Sequence, residues 1–438
     1  MTENITALGA GSGDVFAAQH ISLRQRIGVV LALAGTLVTG SSCEAGNSDP
    51  SQIASPTPVV NGHRPDDGVR PPLPADFGPL RNNIIIATVA GESTSRGYNE
   101  GSTVQLVEQA QTELSKSLGG EITFTKPTFL GRVAVTVSHP ENRCQIDSEG
   151  VLDSQFFEEF NAEVMEEAVE RGYDKGDRHN PGLLIFVDYT CANTIRSQAA
   201  TDEFTPENSV FLMLSETGRP PLLTVIHEMG HELGNAHGNY YVCKRDGTGI
   251  TSIEESCPDV FEYFDIRNIM GGIMGVSNVR FNGYQQYRMG VLDEDQIIKV
   301  EQPGKYTVDL VALQAGQSGK QVLRIPRTVV GGYRSGGVED YYWVELSQGD
   351  CQDGDCPLSV VLYTADSGNN VKPTDATKLP LYASTSHVGD LSSGGVVGVK
   401  PGGEEVFKDA ASGLSLRIED IEASGNGVGH AELTITLA

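Results

Sequence analysis

The stretch His227–Gly238, "HEMGHELGNAHG", limits this chain more tightly than any other. Leu222, Leu223, Val225 and Ile226 lead into it behind Pro220 and Pro221, so a helix starts near the two prolines and runs through the first histidines. Residues four apart on a helix share a face, which sets His227 and His231 side by side. Glu228 falls on the flank, where it can reach a metal-held water without binding the metal. Gly234 offers the left-handed conformation that ends a helix and turns the chain, and the turn can bring His237 back as a third ligand. Three neutral imidazoles leave an ion its full charge and one open position, as catalytic zinc requires; structural zinc prefers four closed ligands. A bare His-Glu-x-x-His arises by chance on many surface helices. With Gly234 and His237 added, the pattern is far rarer.

Nothing else in the chain competes for the chemistry. His20, His63, His139, His179, His387 and His430 are scattered without metal spacing and read as surface or packed imidazoles. No Gly-x-Ser-x-Gly nucleophile motif is present. The glycines of Gly9–Asp14 precede no strand–helix unit and are no phosphate loop. With 31 Lys+Arg against 58 Asp+Glu, the net charge of −27 repels a phosphate backbone and excludes nucleic acid as a partner.

The 438 residues suffice for two or three domains. Residues 1–43 read as a secretory signal: Arg24 and Arg26, an apolar run from Ile27 to Gly40, then small residues ending at Cys43. Cys43 resembles the cysteine of a bacterial lipobox, where the thiol is lipidated and becomes the new first residue. Gly40 stands where Leu is more usual, and plain secretion with a cut nearby is the alternative. Residues 44–80 are rich in Pro, Ser, Gly and Asp and read as a tether, Asp66 and Asp67 included. A latent form with Cys43 on the zinc is the rival role for that thiol.

Residues 81–299 alternate strand and helix patterns. "NNIIIATVAG" reads as a buried strand; Val107, Ala110, Leu114 and Leu118 stripe a helix closed by Gly119–Gly120. "EITFT", "GRVAVTVSHP", "GLLIFVDY" and "NSVFLMLS" read as further strands. Asp153–Tyr173 is an amphipathic helix with Phe156, Phe157, Phe160, Val164 and Ala168 inward and Gly172 as its stop. From 300 to 438 only short strands and turn signals remain, which predicts an all-β sandwich. The expected class is α+β.

A metzincin signature extends the three-histidine motif with a methionine in a tight turn downstream. "EYFDIRNIMGGIMG" supplies Met270 and Met274, each followed by Gly; Met270 is preferred because Asn268–Gly271 is turn-like. With "RFNGYQQYRMGVLDEDQI" and the β-rich tail ("LRIPR", "YYWVELSQ", "VKPGGEEVFKDAASGLSLRI"), the chain from Arg81 onward resembles the gametolysin family of secreted metzincin peptidases. The resemblance implies a twisted mixed sheet with helices followed by the sandwich. It implies one catalytic zinc on His227, His231 and His237, Glu228 as general base, and Met270 as an apolar floor under the rings. The substrate would be a protein or peptide outside the cytoplasm. Some relatives place a Tyr ligand two residues after the Met; here that position is Gly272, which leaves Tyr240, Tyr241 or Tyr263 to assist. The Asn208–Ser215 strand is expected at the sheet edge, open to an extended peptide, with an interior strand as the alternative. The competing function is a zinc-containing surface lipoprotein that binds or adheres without turnover.

Seven cysteines leave one unpaired in an exported protein, and lipidation would remove Cys43. Neighbour pairing then gives Cys144–Cys191, Cys243–Cys257 and Cys351–Cys356. Cys351–Cys356 closes a hairpin; calcium at Asp353 and Asp355 is the less plain reading of "CQDGDC". Paired cysteines imply an extracytoplasmic location, secreted or anchored to the membrane at Cys43.

Overall fold

A strand without a polar face has to be covered on both sides, and Asn83–Val89, "NIIIATV", is buried at every position. Its alternation sends Ile84 and Ile86 to one face, Ile85 and Ala87 to the other. The computed structural model describes residues 78–92, 98–145, 154–189, 197–200, 204–213, 221–242, 259–261, 268–271, 280–314, 317–327, 340–348, 358–366, 376–378, 382–384, 398–399, 404–423 and 428–438. The signal segment, Cys43 and the tether up to residue 77 lie outside them. All described residues belong to one unit, Arg64–Ala438.

In chain order the elements are β1 (Asn83–Val89), α1 (Glu100–Ser117), β2 (Thr128–Val135), α2 (Ser154–Glu170), β3 (Leu183–Val187), β4 (Gln198–Ala199), β5 (Ser209–Met213), α3 (Leu222–Glu232), β6 (Gly238–Val242), β7 (Asp259–Phe261), α4 (Gly283–Arg288), β8 (Ile297–Lys299), β9 (Gly304–Val311), β10 (Val322–Arg327), β11 (Asp340–Gln348), β12 (Leu358–Asp366), β13 (Ala376–Lys378), β14 (Tyr382–Ser384), β15 (Gly398–Val399), β16 (Glu404–Asp409), β17 (Leu414–Ala423) and β18 (Gly429–Leu437). The described chain is thus a mixed fold of several sheets and few helices, α+β in the broad sense. Among the described residues no helix is long and apolar enough to cross a membrane.

The first sheet has the order β2-β1-β3-β5-β4. β1, β2, β3 and β5 run parallel, and β4 is antiparallel to β5. Val107, Ala110 and Leu114 of α1 and Val225, Ile226 and Met229 of α3 cover one face. Phe156, Phe160, Val164 and Ala168 of α2 cover the other. The helix signals act as read. Asn99 caps α1 by accepting the Ser102 N–H at 3.0 Å, and Gly120 (φ 82°) donates back to Ser115. Gly172 (φ 97°) ends the α2 segment, with Tyr173 N–H bonded to the Ala168 carbonyl.

Three expectations change. "EITFT" is no strand; it makes a single bridge, Leu80 to Phe124. That bridge seats Leu80 in the core, so ordered packing starts inside the stretch read as tether. Within the stretch Asn208–Ser215, the described strand β5 is no sheet edge. β5 pairs with β3 along its length, and on its other side β4 covers Val210 and Phe211. Its unbroken burial, with an apolar run from Val210 to Met213, reflects that interior position, because a strand buried on both faces shows no alternation.

The C-terminal strands form two sheets, β16-β17-β18-β9 and a larger one containing β7-β6-β13-β12-β11-β10-β8. Leu310, Leu416, Leu433 and Ile435 from the smaller sheet meet Leu323, Val344, Leu346 and Val360 from the larger in one core. From β9 onward strand follows strand with no helix between among the described residues, as expected after residue 300. In β17 a bulge between Ile418 and Asp420 shifts the alternation, so that Ile418 and Ile421, three apart, both face inward. The larger sheet also takes β6, β7 and β8, so strands from both sides of residue 300 share it. Sequence order hid this, because β6 pairs with β13 across more than a hundred residues.

Candidate metal centre

α3 carries the centre. It starts directly after Pro221 and is buried from Val225 through Glu232, packed on the first sheet and against Ile269 and Met270. Gly234 (φ 83°) ends it: the Gly234 N–H bonds the His231 carbonyl at 2.8 Å and the Asn235 N–H bonds Gly230 at 3.1 Å. Any side chain at 234 would strain this left-handed residue.

The turn brings the three histidines together. One ligand atom of each lies within 4.8 Å of the others. The His231 ring stands 5.0 Å from His227 and 4.7 Å from His237, near perpendicular to both; His227 and His237 are near parallel at 5.6 Å. Two rings are oriented by backbone. His227 Nδ1 bonds the Ile269 carbonyl at 2.7 Å and His231 Nδ1 bonds the Asn235 carbonyl at 2.8 Å. A carbonyl only accepts, so both Nδ1 atoms carry the proton and Nε2 is the lone-pair nitrogen of both rings. Metal-binding histidines are commonly held in this way. Burial, then the neighbouring His231 and His237, push the His227 pKa well below its usual value, so the ring stays neutral. Neutral imidazole nitrogens at this spacing suit zinc, whose two ligands at about 2.0–2.1 Å each stand roughly 3.4 Å apart in a tetrahedron.

Met270 sits in a tight turn against α3. Asn268–Gly271 is a tight turn closed by the Gly271 N–H on the Asn268 carbonyl at 2.9 Å, and the Asn268 side chain accepts the Met270 N–H at 2.9 Å. Met270 is fully buried and packs on α3 at Gly230, where a Cβ would collide with its sulfur. The same turn supplies the Ile269 carbonyl to His227, and the Met270 carbonyl accepts the Gly238 N–H at 2.6 Å. Thus it braces both ends of the histidine motif. Met274, Gly272 and Tyr263 lie outside the described residues. Tyr240 and Tyr241 are in β6, whose backbone pairs with β13 and β7.

Two glutamates of α3 are buried, Glu228 and Glu232. The reading of the motif used only the first. Glu232 Oε2 accepts the Asn82 amide at 2.8 Å, and Asn82 accepts from Gln111 at 2.9 Å, a buried relay from α1 to α3. Burial, helped by nearby Glu228, holds the Glu232 carboxyl well above the usual range despite the Asn82 bond. A Cβ on Gly182 would stand 2.9 Å from Glu232 Oε1, so glycine there keeps room for the acid. The hint in sequence was a charged residue where the helix faces the core.

Away from the centre, His139 and His179 sit beside Glu141 and Asp177, as solvated imidazoles do. Cys144 is bonded in a disulfide. Its expected partner Cys191 lies outside the described residues, as do Cys243, Cys257, Cys351, Cys356, Asp353 and Asp355. Compared with protein-family models and with curated proteins, the chain finds no match.

Proposed function

We propose that the protein is a zinc-dependent endopeptidase of the gametolysin-like metzincin type, acting outside the cytoplasm on protein substrates. The supporting observation is the convergence of His227, His231 and His237, with two rings locked in the neutral Nδ1–H tautomer and Glu228, which follows His227 in the helix, buried.

His227, His231 and His237 would hold the zinc. When bound, zinc supplies Lewis acidity, lowering the pKa of water toward about 7 and polarising a carbonyl. The Glu228 carboxylate takes a proton from the attacking water and later delivers it to the nitrogen of the leaving amine, so acid and base are one group used twice. Met270 gives the rings an apolar floor and Gly234 returns His237 to them. The Cys144 disulfide suits an oxidising compartment, in keeping with export and with lipidation at Cys43.

The test uses the chain from Arg64 onward, with metal quantified and a broad protein substrate supplied. Glu228→Ala should keep one zinc per chain and lose hydrolysis by at least about 100-fold. Full activity in that variant ends the reading. Zinc at one per chain without turnover of any peptide library favours the binding lipoprotein instead.

A further inference from the structure

The two buried ligands are oriented from different distances. His231 is held by Asn235, four residues on and part of the same helix end. His227 is held from outside its helix, by the Ile269 carbonyl. Ile269 in turn donates its N–H to the Arg280 carbonyl at 3.1 Å, beside an isolated bridge between Asn268 and Arg280. The Arg280 guanidinium reaches into the C-terminal half. It donates to the Leu313 carbonyl at 2.6 Å and to the Gln348 carbonyl. Leu313 follows β9 of the smaller sheet, and Gln348 ends β11 of the larger. The Leu313 N–H itself bonds the Leu346 carbonyl at 2.7 Å, so Arg280 grips both sheets where they join. A charged donor bonded to two carbonyls is a strong and directional link.

We propose that Arg280 is a positioning residue that couples the β-sandwich to the orientation of His227, which makes the sandwich a working part of the metal centre rather than a detachable module. The consequence for metal binding rests on His227 being a ligand; the coupling itself does not.

The decisive probe is the imidazole Nδ1–H of His227 in the metal-free full chain, read by proton–nitrogen NMR, with the Nδ1–H of His231 as internal control. Both protons should be protected in the wild type. In Arg280→Ala the His227 proton should become fast-exchanging while the His231 proton stays protected, and Arg280→Lys should restore part of the His227 signal. Retention of both signals in Arg280→Ala, or loss of both together, overturns the proposal, since either leaves Arg280 without a specific hold on His227. If Arg280→Ala does not fold, Arg280→Met, which keeps the apolar stem and drops the donors, is read in the same way. A wild-type measurement covers failure of both variants: coupling is reciprocal, so zinc added to the apoprotein should slow amide exchange at Leu313, and protection confined to residues 227–238 and 268–271 overturns the proposal. On the metal side, Arg280→Ala should weaken zinc affinity by about 10-fold or more. A wild-type chain that binds no zinc ends the metal reading and leaves the His227 proton to decide the coupling.

Discussion

Between the two sheets of the C-terminal half, Leu310, Leu323, Val344, Leu416, Leu433 and Ile435 pack side by side. Around α3 the buried set includes His227, Glu228, His231, Glu232, Asn82, Gln111 and Asn235. Both are interior, and they do opposite things. The sandwich core removes apolar area from water and asks nothing of its surroundings. The core around α3 buries groups that cost free energy unless each finds a partner. The polar core therefore has to be scaffolded, and its partners come from α1, from the Asn268–Gly271 turn and, through Arg280, from the sandwich.

The sharpest break of this contrast is Leu433→Ala. Leu433 is fully buried between the sheets, and losing its side chain should cost about 2–5 kcal/mol in a urea unfolding curve. A loss below that range would mean that the sandwich core is looser than its packing indicates.

Next in size is the stabilisation that a ligand of the polar core should bring. Zinc at 100 times its dissociation constant should raise the unfolding free energy by about 2.7 kcal/mol, and His227→Ala should abolish the rise. An unchanged melting curve on adding zinc to the wild type removes the metal from the account.

Tyr342→Phe probes a polar contact at the sandwich core. The Tyr342 hydroxyl and the Ser412 hydroxyl both donate to Asp409 Oδ2 at 2.5 Å. Removing one donor from a buried carboxylate should cost about 1.5–3 kcal/mol. A neutral result would show the Asp409 group is served by Ser412 and the Ala411 N–H alone.

The smallest expected effect has the opposite sign. The folded Glu232 pKa stands above its ordinary value of 4.5, so the folded chain keeps a proton that the unfolded chain releases. The stability that this group contributes is therefore fully present below pH 4.5 and is lost as pH rises through the folded pKa. Glu232→Gln has no proton to lose, so it should match the wild type in acid and exceed it increasingly toward neutral pH. Unfolding curves from about pH 4 to about pH 8 measure the gap; a variant weaker than wild type throughout would make the carboxyl itself a needed partner.

Legibility followed the range of the interaction. The pairing of His227 with His231 was readable because helical period alone sets it, and the return of His237 followed from one glycine. Met270 was preferred to Met274 on the turn chemistry around Asn268 and Gly271, and of the two only Met270 lies within the described residues. β9, β10, β11, β12, β17 and β18 were readable from their strand-forming residues and the turn signals between them, while the short β13, β14 and β15 were not. The interior place of β5 was not, since the same apolar run suits an edge or a centre until β4, two residues long, is found beside it. Glu232 was not singled out in the sequence because its partner Asn82 is 150 residues away.

By itself, then, the sequence determined which residues share a helix face, where that helix must stop, and that strands follow strands after residue 300. Those properties depend on backbone geometry over a few residues, and side-chain type reports them directly. Tertiary structure alone decided which carbonyls orient His227 and His231, that Gly230 is the seat of Met270, and that β6 and β8 join strands from beyond residue 300. Backbone acceptors are identical at every residue, and contacts between distant segments leave no period in the chain, so only the folded arrangement assigns them.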